Sequence, residues 1–178
     1  MSEPVLFAAI FPPPEALETI TAIQQELKQK LEGKGKLTWV APERMHVTMF
    51  FLGAHKEEHA QEWVERALVA RPKAFELQLT EISMKRHRFG DGHRSLFLSA
   101  EECKPLVAIA RRLNWDVSKP PHLTLARFRK PIEPPSMAIE PITFLAKQIA
   151  LVQSVKEGAD FGYRTLKEWP LNVKQKQS

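Results

Sequence analysis

His46-Val47-Thr48-Met49 and His122-Leu123-Thr124-Leu125 have the same form, a His-x-Thr inside an apolar run. In an extended strand, residues two apart share a face. His46 and Thr48 therefore point one way, and Val47 and Met49 the other. The same holds for His122 and Thr124 against Leu123 and Leu125. An imidazole titrates near neutrality, so one can give a proton while another takes one. A threonine hydroxyl beside each can donate to an oxyanion. Two such pairs suit a phosphodiester, which needs an acid, a base and donors for its non-bridging oxygens. A single His-x-Thr is ordinary, since threonine is favoured in strands and a polar sheet face tolerates histidine. The recurrence carries the reading, and it requires the two stretches to meet in space.

Other residues offer less. His55 and His59 are four apart, a spacing that a helix could turn toward a metal. The stretch reads His-Lys-Glu-Glu-His, without the glutamate directly after the first histidine that zinc proteases use. Exposed helix histidines are the expectation, and no metal. His87 and His93 flank Asp91-Gly92; with Arg86, Arg88 and Arg94 they form either a plain loop or a basic lip for RNA. Trp39 and Phe11 could stack on a base, although core packing is the commoner use. Lys167 and Trp169 read as structural strand-end residues. Cys103 is the single cysteine, which excludes an internal disulfide framework and a multi-cysteine zinc site.

The elements that must position the two motifs follow from punctuation and periodicity. Residues 5–11 are a short apolar strand stopped by Pro12-Pro13-Pro14. Leu17, Ile20, Ile23, Leu27 and Leu31 then recur near helical spacing until Gly33 and Gly35. Residues 37–40 are extended, and 41–44 turn the chain into the first His strand, 45–52, which Gly53 breaks. A second helix over 55–70 stops at Arg71-Pro72. Phe75, Leu77 and Leu79 alternate with polar residues as a strand. Residues 87–94 read as a hairpin turn, with 95–100 as the returning strand. Leu106, Ile109, Ala110 and Leu113 suggest a third helix. Pro120-Pro121 leads into the second His strand, 122–128. A proline-rich link over 131–141, a strand over 148–155 and a closing segment over 162–171 complete the chain. Residues 174–178 read as a frayed polar tail. This order suits a duplicated α+β unit, although the letters repeat only in the two motifs.

The 178 residues fit one domain, 1–178, of two joined lobes. With 43% hydrophobic and 26% charged residues, the composition is globular. No apolar run approaches the roughly 20 residues of a membrane helix. No basic patch leads an apolar segment at the N-terminus, so a cytoplasmic location is expected. The net charge of +5 favours anionic partners such as RNA or nucleotides.

The residues also carry a resemblance. The matching stretches are residues 5–10, 45–53, 121–127 and Tyr163-Arg164-Thr165-Leu166-Lys167-Glu168-Trp169. On them the chain resembles the 2H phosphoesterase superfamily, named for two His-x-Thr-x motifs. Within it the chain is similar to the RNA 2',3'-cyclic phosphodiesterases, formerly called 2'-5' RNA ligases. The resemblance implies an α+β fold of two pseudo-twofold-related lobes. Each would be an antiparallel sheet with outer helices, facing the other across a central cleft. It implies that His46 is the proton donor, His122 the proton acceptor, and Thr48 and Thr124 phosphate ligands. The match extends to Arg127, yet alternation from His122 points Arg127 off the catalytic face unless the strand bulges or ends there. Two departures concern how the rest of an RNA is held. Phe11 and three prolines stand where the family often has an acidic residue, and 116–120 lacks an aromatic residue before Pro121-His122. The implied activity is hydrolysis of RNA 2',3'-cyclic ends to 2'-phosphomonoesters. It needs no metal, cofactor, membrane or protein partner and suits a monomer. An RNA-binding module without turnover and a 2'-5' RNA ligase are the alternatives.

Overall fold

Pro14 opens the first helix, where a missing N–H costs nothing, and Ala16, Ile20, Gln24 and Leu27 turn one buried face inward. The computed structural model describes residues 4–86, 94–112, 120–157 and 160–173. In chain order the elements are β1 (Val5–Ile10), α1 (Pro14–Lys30), β2 (Leu37–Trp39), a 3-10 turn (Pro42–Arg44), β3 (Val47–Ala54), α2 (Glu57–Leu68), β4 (Phe75–Arg86), β5 (Arg94–Ala100), α3 (Lys104–Arg111), β6 (His122–Phe128), β7 (Ile142–Ala146), β8 (Gln148–Glu157) and β9 (Asp160–Pro170).

The strands run β7-β4-β5-β6-β3-β1-β8-β9, with β2 paired to β6. Every pairing among these strands is antiparallel. At the centre β3 and β6 are paired through Val47 and Leu123, the middle residues of the two His-x-Thr stretches. About that junction the order reads alike in both directions: β6 answers β3, β5 answers β1, β4 answers β8 and β7 answers β9. The fold is thus α+β, with two antiparallel lobes related by a pseudo-twofold that passes beside the motifs.

The helices lie on one face, over a core that includes Leu6, Ile10, Val47, Phe50, Leu98 and Leu123. They interlock the lobes. α1 follows β1 in sequence but packs against β7, while α3 follows β5 and touches β3 and α2. The opposite face carries a smaller apolar cluster of Phe7, Ala9, Ala150 and Val152, with Phe11 and Tyr163 packed on it.

Several boundaries differ from expectation. Gly53 does not break the first His strand, which runs on to Ala54. Phe7 pairs with Phe51 and Leu6 with Gly53, so Leu52 bulges, and Gly53 has φ +80, where glycine carries no Cβ penalty. The strand starts at Val47, because the Met45 amide is still bonded to the carbonyl of Pro42 and closes the 3-10 turn. The second helix starts at Glu57, so His55 precedes it and does not share it with His59. β7 was not anticipated: Ile142, Phe144 and Ala146 alternate inward, but Leu145 is apolar and 37% exposed, which blurs the pattern. The hairpin arms pair out to Arg86 and Arg94. The expected turn with His87, Arg88, Asp91, Gly92 and His93 lies outside the described residues, as do Leu113, residues 116–119 and the tail 174–178.

Candidate active site

Each motif histidine is held by the carbonyl two residues before it. His46 Nδ1 donates to the Arg44 carbonyl at 2.8 Å, and His122 Nδ1 donates to the Pro120 carbonyl at 3.3 Å. The turn before β3 and the Pro120-Pro121 entry to β6 supply these carbonyls. A carbonyl can only accept, so Nδ1 carries the proton and Nε2 is left for proton exchange. His46 Nε2 lies 3.0 Å from Thr48 Oγ1, as expected for side chains two apart on one face. The antiparallel register about Val47 and Leu123 sets His46 across from Thr124, and Thr48 across from His122. All four are half-buried while Val47 and Leu123 between them are fully buried.

Aromatic rings wall both imidazoles. Phe7 stacks on His46 at 4.9 Å and Tyr163 meets it edge-on at 5.3 Å. Phe11 lies 5.7 Å from His46, and Phe97 lies 4.9 Å from His122. Phe7 and Phe97 come from β1 and β5, equivalent strands of the two lobes. Burial behind this wall is the main cause that holds the His46 pKa below its ordinary value. The bond to the Arg44 carbonyl opposes it, and the charges of Arg127 and His122 lower it further. His122 and Arg127 are therefore near enough to His46 for their charges to be felt.

Arg127 reaches the site through a bulge. Thr124 pairs with Phe97 and Ala126 with Leu96, so Leu125 has no partner on β5. Leu125 and Ala126 are both buried and Arg127 is exposed. The alternation is reset, and Arg127 returns to the face of His122 and Thr124. It lines a cavity of about 290 Å³ with His46, Thr48, Phe51 and Tyr163. The same device occurs on β3: Thr48 pairs with Ala9 and Phe50 with Ala8, which leaves Met49 out. Phe51, 54% exposed, thus stands to His46 as Arg127 stands to His122.

Gln24 of α1 is buried and had no place in the sequence reading. Its amide donates to the Leu125 carbonyl at 3.0 Å and to the Val40 carbonyl at 2.8 Å. The Val40 amide donates to the same Leu125 carbonyl at 2.9 Å. The bulge is therefore held from α1 and from the chain just after β2. A polar residue on the inward stripe of a helix, between Ile20 and Leu27, was the available signal. Across the neighbouring strands, Ser99 pairs with His122 and donates to the Glu81 carboxylate at 2.9 Å. Ser83 donates to the same carboxylate at 3.0 Å.

The remaining candidates sit elsewhere. His55 meets Trp63 edge-on at 4.8 Å, His59 is exposed, and no metal-holding cluster of three or more His, Cys, Asp or Glu occurs among the described residues. Trp39 packs partly against the core, with Lys28 Nζ 5.6 Å from its ring. Lys167 pairs with Glu65 at 2.7 Å and lies over Trp169, a structural cluster on the helix side. Cys103 is buried, and that burial raises its thiol pKa, which favours the protonated, less nucleophilic form.

A family profile described as LigT-like phosphoesterase matches residues 10–92, which include the first motif. Solved structures share the fold over almost the whole chain. E. coli LigT in its apo form has a TM-score of 0.71 at 22% identity, covering 97% of this chain and 99% of its own. TT0787 of Thermus thermophilus has a TM-score of 0.66 at 22% identity, covering 96% and 100%. Over residues 10–92 the chain is thus similar to the LigT-like phosphoesterases, and over almost its whole length it shares the fold of E. coli LigT. Both His-x-Thr stretches are present, on the equivalent strands β3 and β6. E. coli LigT has also been crystallised with phosphate, at a TM-score of 0.72, 22% identity and 97% and 99% coverage. Among curated proteins no sequence match is found.

Proposed function

We propose that this chain is a 2H phosphoesterase that opens the 2',3'-cyclic phosphate at an RNA end and leaves a 2'-phosphate. The observation that carries the reading is the paired placement of two His-x-Thr stretches across one strand junction. Each imidazole has Nδ1 tied to a carbonyl, which leaves Nε2 for proton transfer. Support also comes from E. coli LigT, whose structures include complexes with phosphate and with 3'-AMP.

In the reaction, His122 Nε2 takes a proton from water as the oxygen attacks phosphorus in line. The bond from phosphorus to O3' breaks, and His46 gives its Nε2 proton to that oxygen. Thr48, Thr124 and Arg127 hold the non-bridging oxygens as charge develops. His46 must be protonated to donate. The bound anionic phosphate raises its pKa and offsets the lowering by burial and by Arg127. The step needs no metal or cofactor. The chain acts as one domain of two lobes, and with a 5'-hydroxyl in place of water as the attacking oxygen the same pocket would join it to the cyclic end through a 2'-5' linkage, O3' again leaving with the His46 proton.

The test is incubation with a 2',3'-cyclic nucleotide in chelator, followed by separation of products. Ring opening to the 2'-phosphate at an unaltered rate is expected. Loss of rate that one divalent metal restores would replace the two-histidine mechanism. Tight RNA binding without any opening would mark an RNA-binding module instead.

A further inference from the structure

Arg127 belongs to two cavities. One is the 290 Å³ space beside His46. The other, about 550 Å³, is lined by Lys36, Thr38, Arg127, Phe128, Arg129 and Lys130. We propose that this second groove carries the RNA strand leading away from the cyclic end, so that the site takes single-stranded oligonucleotides in preference to mononucleotides. The inference rests on the reading of the site as a cyclic phosphodiesterase.

The register explains how the groove forms. β2 pairs with β6, with Thr38 opposite Arg127 and Leu37 opposite Phe128. Continued by one residue, the register sets Lys36 beside Arg129. The bulge at Leu125 that turns Arg127 to the cleft face turns Arg129 with it. At about 3.3 Å of rise per strand residue, the two guanidinium-bearing positions lie about 7 Å apart along one face. Lys36, Thr38, Arg127, Arg129 and Lys130 are all exposed, and Phe128 is buried beneath them. The described lining contains four cations and no acid. The larger cavity at the start of α1, about 690 Å³, sets Glu15 and Glu140 against the single cation Lys147 and includes none of the motif residues. A polyanion meets no net positive charge there and is attracted along β2 and β6. A row of cations that starts at the phosphate pocket and follows a strand suits successive backbone phosphates.

The experiment compares binding of 3'-AMP with binding of a short single-stranded RNA that ends in the same nucleotide and 3'-phosphate, at several salt concentrations. The RNA should bind more tightly, with a steeper loss on added salt. Each phosphate contact on a single strand contributes about 0.7 to the slope of log affinity against log salt. Lys36→Ala with Lys130→Ala should therefore flatten the RNA slope by about 1.4, and weaken the RNA far more than 3'-AMP. Lys36→Arg with Lys130→Arg should keep the steep slope, which separates loss of charge from loss of fold. Equal affinity for the RNA and 3'-AMP, or an RNA slope unchanged in the double alanine variant, would overturn the proposal. Ring opening of a cyclic mononucleotide is measured alongside. Its absence with steep RNA binding would sink the hydrolase and keep the track; its presence with a flat slope would do the reverse.

Discussion

At the scale of residues, the two histidines and two threonines should separate by magnitude. Loss of a general acid or base costs roughly 10² to 10⁴ in rate. His46→Ala and His122→Ala should each fall that far on a cyclic nucleotide. A hydroxyl bonded to a charged group is worth roughly 1.5–3 kcal/mol, about ten- to two-hundredfold. Thr48→Ala and Thr124→Ala should be slow but measurable, and the double histidine variant little worse than either single one. Steady-state rates on one substrate decide this; full activity in either histidine variant would remove that residue. With a good leaving group, His46→Ala should lose less than His122→Ala, and the opposite order would exchange donor and acceptor. The pH dependence has a sign. Burial first, and the Arg127 charge among the lesser causes, hold free His46 below its ordinary range. As the donor His46 must keep its proton, so the alkaline limb of kcat/KM, which reports the free enzyme, should lie lower than an ordinary imidazole would set it. Arg127→Gln removes a cation, so the limb should move to higher pH. A limb that stays still or moves down would show that Arg127 does not act on His46.

At the scale of elements, the bulge after each motif decides which side chains reach the cleft. The His-x-Thr faces were legible because alternation over two residues depends only on strand geometry. Arg127 was legible as a motif match but not in its direction. The reset at Leu125 is set by the register of β5, a partner remote in sequence. Gln24 was legible only as a polar residue on the inward stripe of α1; the Leu125 carbonyl that it serves is remote in sequence and was not. Phe7 and Phe97 were visible as strand residues, yet their contact with the histidines depends on pairing. Removing the Gln24 amide takes its donor from the Val40 carbonyl and leaves the Leu125 carbonyl with the Val40 amide. Gln24→Ala should lower stability by about 1–3 kcal/mol, seen as a lower denaturation midpoint. It should also lower kcat/KM by loosening the bulge that aims Arg127. Lost stability with unaltered kinetics would uncouple the bulge from the site.

At the scale of the whole molecule, the pseudo-twofold was foreseen only through the two motifs, since the letters repeat nowhere else. Pairing makes it explicit and shows that the halves exchange helices. α1 packs on β7 and bonds through Gln24 to β6, while α3 reaches back to β3. One buried cluster takes residues from both halves, among them Leu6, Phe50, Leu98 and Leu123. Thermal unfolding followed by helix and by aromatic signals should therefore give one coincident transition. Two separated transitions would show that the lobes are independent units.

The equivalence of Phe51 and Arg127 has a bearing on direction. Two imidazoles related by a twofold carry no arrow: by themselves they would accept a nucleotide in either orientation and exchange roles with it. The arrow comes from the flanks. One bulge presents a guanidinium and the other a flat apolar ring, so a ligand that is anionic at one end and aromatic at the other has one way to lie. Under the proposed function, the orientation of the nucleotide follows from the residues that differ between the lobes, and the proton transfers from those that repeat.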